Sequence, residues 1–76
     1  MQITKNWNNQ VEVILKNGDK IFFSYHTPVA AWVQGEYYKT DIRWSATTSM
    51  HINRWRPDAD WVEKPQEFFY NLVKDI

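Results

Sequence analysis

The residue types that could do chemistry are concentrated between Ser24 and Trp55, in SYHTPVAAWVQGEYYKTDIRWSATTSMHINRW. That stretch holds both histidines and three of the five tryptophans. A serine beside a histidine can form a nucleophile–base pair, here Ser45 or Ser49 with His51, and with Asp41 to orient the ring. Such a set also needs a hydrogen bond from nucleophile to base and a donor site for the oxyanion. Nothing in the spacing enforces either. Thr47, Thr48 and Ser49 are equally suited to capping a helix, because their hydroxyls accept from the first free helix N–H groups. His51 or Asn53 would then fasten the helix end to a strand. We take this second reading and expect no catalytic residue and no enzymatic activity.

A metal site would draw on His26, His51, Asp58 and Asp60. Zinc sites need three or four convergent ligands, commonly in close local pairs, and neither HxxxH nor HxH occurs here. With no cysteine, thiolate ligation and a disulfide framework are both excluded. Gly18 and Gly35 are the two glycines, too few for a phosphate-cradling loop. No metal and no cofactor is expected.

Binding is the remaining chemistry. Residues 38–56 carry Lys39, Arg43, Arg54 and Arg56 against Asp41, while residues 57–76 carry five acids against Lys64 and Lys74. The two patches either neutralise one another or leave a positive face for an acidic partner. Tyr37, Tyr38, Lys39, Arg43, Trp44, Arg54 and Arg56 are the candidate binding residues. Trp, Tyr and Arg carry much of the energy of protein interfaces, and exposed Trp61 would add to such a patch. The same side chains, with Trp32, could instead stack bases along a basic groove. Zero net charge weighs against that alternative and against anionic membranes, both of which need a basic field.

These residues must be positioned by a single small domain spanning 1–76. A chain of this size buries only about 60% of its unfolded surface. Five Trp, four Tyr and four Phe supply the compensating bulk. Val11 to Lys16 alternates like a half-buried strand. Asn17-Gly18 then marks a hairpin. A three-residue loop, Lys16-Asn17-Gly18, pairs Val11 with Phe23 and Val13 with Ile21, keeping the apolar groups on one face. Lys20–His26 is the second strand, ended or bulged at Thr27-Pro28, since Pro28 cannot donate to a ladder. Residues 29–34 and 37–41 give a third and a fourth strand. Residues 1–10 are polar, either frayed or an edge strand pinned by Trp7.

After Asp41 the period changes. A short helix is predicted from about Ser49 to Trp55, with Ile52 and Trp55 inward and Pro57 as its stop. Pro65 suits the first turn of a second helix. There Phe68, Phe69, Leu72, Val73 and Ile76 recur at helical spacing. The prediction is an α+β domain: a four-stranded antiparallel meander, then two helices packed on one face. Its expected core is Val11, Val13, Ile21, Phe23, Val29, Ala31, Ile52, Trp55, Phe69, Leu72 and Val73. An exposed edge strand could pair with a second copy to give a homodimer.

The segment TPVAAWVQGEYYKTDIRWSATTSMHINRW resembles a family of short uncharacterised proteins frequent in bacteriophages and other mobile elements. The matching positions begin with Thr27, Pro28, Val29 and Ala30, then Gly35, Tyr38, Lys39 and Thr40. They continue through Trp44, Ser45, Thr47, Thr48 and Ser49 to His51, Ile52, Asn53 and Trp55. The resemblance covers a third to a half of the chain and brings no activity with it. It implies a setting, a phage genome, in which a tiny charge-balanced protein binds a host component. The expected function is therefore stoichiometric binding to a host protein or complex, such as inhibition of a host defence. A nucleic-acid-binding accessory role for the 38–56 face is the alternative. No apolar run approaches a membrane span, and the N-terminus lacks an apolar signal core. A cytoplasmic protein is expected, in the host cell if phage-encoded.

Overall fold

The computed structural model describes residues 2–7 and 9–74, the first six by their backbone. The expected anchoring by the Trp7 side chain, and the positions Asp75 and Ile76, lie outside the described residues. The elements are β1 (Gln2–Trp7), β2 (Gln10–Ile14), β3 (Lys20–Ser24), β4 (Thr27–Val33), β5 (Glu36–Thr40), α1 (Ala46–Trp55), β6 (Trp61–Lys64) and α2 (Gln66–Lys74). The described strands form one sheet in chain order. β1 to β5 are an antiparallel meander, and β6 adds to β5 in parallel. The α+β class holds. The four expected strands are β2 to β5, and β1 and β6 extend the sheet at its two edges.

The β2–β3 hairpin has the predicted register, with Val11 opposite Phe23 and Val13 opposite Ile21. Leu15 N–H donates to the Asp19 carbonyl at 2.8 Å, and Gly18 N–H donates to the Leu15 carbonyl at 3.0 Å. Lys16, Asn17 and Gly18 are therefore the loop. Gly18 has φ +93°, a backbone region that a side chain disfavours. The second strand stops at Ser24, short of the expected His26, and Thr27 and Pro28 open β4 instead of ending or bulging β3; the bulge lies in β4. Phe22 faces Ala30 while Phe23 faces Pro28, so Val29 is an extra residue on β4.

The helices do not share a face as predicted. Tyr37 and Tyr38 are successive strand residues and so point to opposite sides of the sheet. Tyr37 meets Trp55 of α1 at 6.1 Å, and Tyr38 meets Phe68 of α2 at 5.1 Å. The sheet is thus sandwiched. The cause is the parallel pairing of β5 and β6, which needs a crossover rather than a tight turn. α1 is that crossover on one face; Pro65 then ends β6, and α2 turns back over the other.

Covering both faces changes which residues are core. A strand buried on two sides is apolar at every position, not at alternate ones. Ile21 and Phe22 are both fully buried, as are Val29, Ala30 and Ala31. Val13, Ile52, Trp55 and Phe69 are buried as predicted. Val11, Phe23, Leu72 and Val73 are only half-buried, and Phe22 and Ala30 take their places.

Candidate functional site

α1 organises the candidate surface, so its fixing to the sheet comes first. Ser45 is the N-cap: its Oγ accepts from Thr48 N–H at 3.0 Å. The helix therefore begins at Ala46, three residues before the predicted start near Ser49. Thr48, His51, Ile52 and Trp55 face inward at helical spacing. At the far end the Arg56 N–H caps the Ile52 carbonyl at 3.2 Å.

A hydroxyl chain, exposed at Ser45 and buried from Thr48 inward, joins this helix to β3. Ser45 Oγ donates to Thr48 Oγ1 at 3.2 Å. Thr48 Oγ1 lies 3.2 Å from Ser24 Oγ, which in turn lies 2.9 Å from His51 Nδ1. The donors align in one direction, Ser45 to Thr48 to Ser24 to His51, when the ring is neutral and carries its proton on Nε2. A serine hydroxyl 2.9 Å from a histidine nitrogen has the spacing of a nucleophile–base pair. Ser24, however, is 2% exposed, so no substrate carbonyl can approach it. The pair fastens α1 to β3, the role considered for His51 from sequence. Its serine is Ser24, not Ser45 or Ser49.

Burial, and then the nearby Arg54 cation, push the His51 pKa below its ordinary 6.5. The unfolded chain then binds the proton first on acidification. Stability from this group is complete above about pH 6.5 and declines as pH falls toward the lowered folded value. Urea midpoints measured at pH 7.5 and 5.5 should fall on acidification, and His51→Gln should flatten that part of the slope. A wild-type midpoint that rose on acidification would reverse the assignment.

Trp55 carries the second anchor. Its indole N–H donates to Glu12 Oε1 at 2.7 Å in the interior. Its ring stacks on Phe22 at 5.0 Å and meets Tyr37 and Trp61 at 6.1 and 6.2 Å.

Outside these anchors lies a polar cleft of about 350 Å³. Its walls include Lys39 and Asp41, Arg43 and Trp44 of the β5–α1 loop, Asn53 of α1 and Glu63 of β6. Lys39 and Glu63 are opposite one another in the β5–β6 register. Two cations and two carboxylates leave this cleft close to neutral. Trp44 is held at its rim: the ring is 47% exposed, yet its Nε1–H donates to Gln66 Oε1 at 3.1 Å. Gln66 is itself buried and donates through Nε2 to the Pro28 carbonyl at 2.6 Å. The β4 bulge, the start of α2 and the exposed indole are thereby linked.

The structure brings together only part of the predicted binding set. Lys39, Arg43 and Trp44 share the cleft, and Arg54 lies beyond it on the outer side of α1 with Arg43 nearby. Arg56 is at the C-terminal end of α1, over the Tyr37 ring at 5.5 Å. Tyr37 is half-buried between Trp55 and Trp61. Tyr38 is on the other face of the sheet, against Phe68 and beneath the Lys64 ammonium. Trp61 is half-buried, not an exposed anchor. Ile42 and Met50, 43% and 44% exposed, are large apolar groups that sequence reasoning did not place on this surface. Met50 could have been found: with Thr48, His51, Ile52 and Trp55 inward, helical geometry turns position 50 outward.

His26, His51, Asp58 and Asp60 do not converge, and no cluster of three His, Asp or Glu residues suited to a metal occurs among the described residues. No helix among them is long and apolar enough to cross a membrane.

Fold and surface together define a small α+β domain that presents exposed aromatic, aliphatic and cationic groups around one crossover helix. The chain belongs to the Family of unknown function (DUF8033), whose model matches residues 1–71. No curated protein was found to match it, and no solved structure.

Proposed function

We propose that this is a non-enzymatic binding protein that acts by stoichiometric occupation of a surface on a protein partner. The observation that carries the reading is the exposure of Ile42, Trp44 and Met50 beside Arg43 and Arg54. Large apolar groups left out of a core this small gain nothing for folding, and clustered exposure of that kind is the mark of an interaction site. Trp and Arg are the residue types that dominate interface energies. Trp44 is also pre-ordered by Gln66, which reduces the entropy lost on association. A phage origin, a host target and inhibition of a host defence are the specific form of this proposal, supported by the sequence resemblance and the small size.

The nucleic-acid alternative needs aromatic platforms beside the cations. Tyr37 is covered by Arg56 and wedged against two tryptophans, and Tyr38 is on the far face. That distribution favours a protein partner.

The test is a capture experiment from host lysate, divided into nuclease-treated and untreated halves, with Arg43→Ala and Trp44→Ala alongside. A discrete protein partner should survive nuclease. Each variant should weaken it by about 2 kcal/mol, roughly thirtyfold, with the fold retained by circular dichroism. A partner lost with nuclease would transfer the assignment to nucleic acid. Variants that bind normally would show that the surface lies elsewhere.

A further inference from the structure

A second groove runs along the outer side of α1. It measures about 580 Å³, and its lining includes Arg43, Ala46, Met50, Asn53, Arg54 and Pro57. Among the described residues no acidic side chain lines it, in contrast to the neighbouring cleft, where Asp41 and Glu63 offset Lys39 and Arg43. Arg43 precedes the helix and Arg54 is in its last turn, so the two cations bracket an apolar floor of Ala46 and Met50, with Pro57 beyond Arg54. Neither guanidinium has a hydrogen bond or ion pair among the described residues.

We infer that this groove receives an acidic peptide segment of the protein partner, with a carboxylate on each arginine and an apolar side chain between them on Met50. The inference rests on the binding-protein reading and names the chemistry of its partner. Guanidinium groups without partners favour carboxylates, which they can hold through two parallel hydrogen bonds. Met50 is 44% exposed, and its unbranched thioether adapts to whatever apolar group meets it. The helix rises about 12 Å from Ala46 to Arg54. A segment lying along this stretch covers about two turns if it is helical, or three to four residues if it is extended.

The test uses a displayed library of random peptides selected on the intact protein. Enriched sequences should carry two acidic residues flanking Leu, Met or Phe. A synthetic enriched peptide should move the amide signals of Ala46, Met50, Asn53 and Arg54 in nitrogen–proton correlation spectra. Arg43→Glu and Arg54→Glu should each weaken it roughly tenfold. The doubly reversed protein, selected afresh, should enrich basic peptides instead. No enrichment, or enrichment without acidic residues, would overturn the inference. Enriched peptides that ignore both reversals but are lost on Trp44→Ala would also overturn it, while leaving the broader binding surface standing.

Discussion

Trp55→Ala is expected to bring the domain to the edge of unfolding in buffer. Truncating a buried Trp costs about 3–5 kcal/mol. A domain of this size has total stability near the lower end of about 5–15 kcal/mol. Trp55 is 8% exposed and touches more of the core than a single contact would suggest. Its ring stacks on Phe22 with an interplanar angle of 10°, and it packs with Tyr37 and Trp61 from the far end of the sheet. Its N–H also serves Glu12 across 43 residues of sequence. Alanine therefore opens a cavity where β3, β5, α1 and β6 meet, and withdraws a donor from a buried carboxylate. Trp55→Phe separates the two effects. It retains most of the stacking and loses the hydrogen bond, for an expected cost of about 1–3 kcal/mol. Urea titration followed by near-ultraviolet circular dichroism reads both. A loss below about 1 kcal/mol for Trp55→Ala would place the centre of the core elsewhere.

What was legible in the sequence was local. Asn17-Gly18 and the alternation around it specify the β2–β3 hairpin to the residue, because turn chemistry and a buried face both act on register. Pro57 marked the end of α1 and Pro28 a break in the ladder, through the same kind of local steric rule, although the bulge at Pro28 belongs to β4 and not to the strand before it. What was not legible depended on partners far away in sequence. Lys20 to Ser24 reads as a one-faced strand only if one face is covered; with a helix on each side, Phe22 rather than Phe23 is the buried ring. β6 is four residues long and pairs in parallel, so no hairpin signal announces it. Trp61-Val62 ahead of Pro65 was its only trace. The candidate surface followed the same division. Arg43, Trp44 and Arg54 were identifiable by type and proximity. Tyr38 was excluded from their face only by strand alternation relative to α2, and the support of Trp44 by Gln66 spans 22 residues.

Phe69→Ala is expected to cost about 3–5 kcal/mol as well, from the other side of the sheet. Phe69 is fully buried and meets Phe68 edge-on at 5.1 Å, while Phe68 in turn packs on Tyr38. Leu72 and Val73, one turn on, are half-buried, so alanine there should cost less than at Phe69. The ordering follows from α2 covering the sheet face opposite α1, a face that would be open to water if both helices lay together. The consequence reaches the candidate surface. Gln66 begins α2, bonds the Pro28 carbonyl and holds the Trp44 indole. Loosening α2 should therefore free Trp44 and weaken partner binding, although Phe69 touches no part of that surface. Thermal melts of Phe69→Ala, read beside the fluorescence of the tryptophans, check the coupling. Unfolding at the wild-type midpoint would mean that α2 is not part of the cooperative unit, and that Trp44 is held by an appendage rather than by the fold.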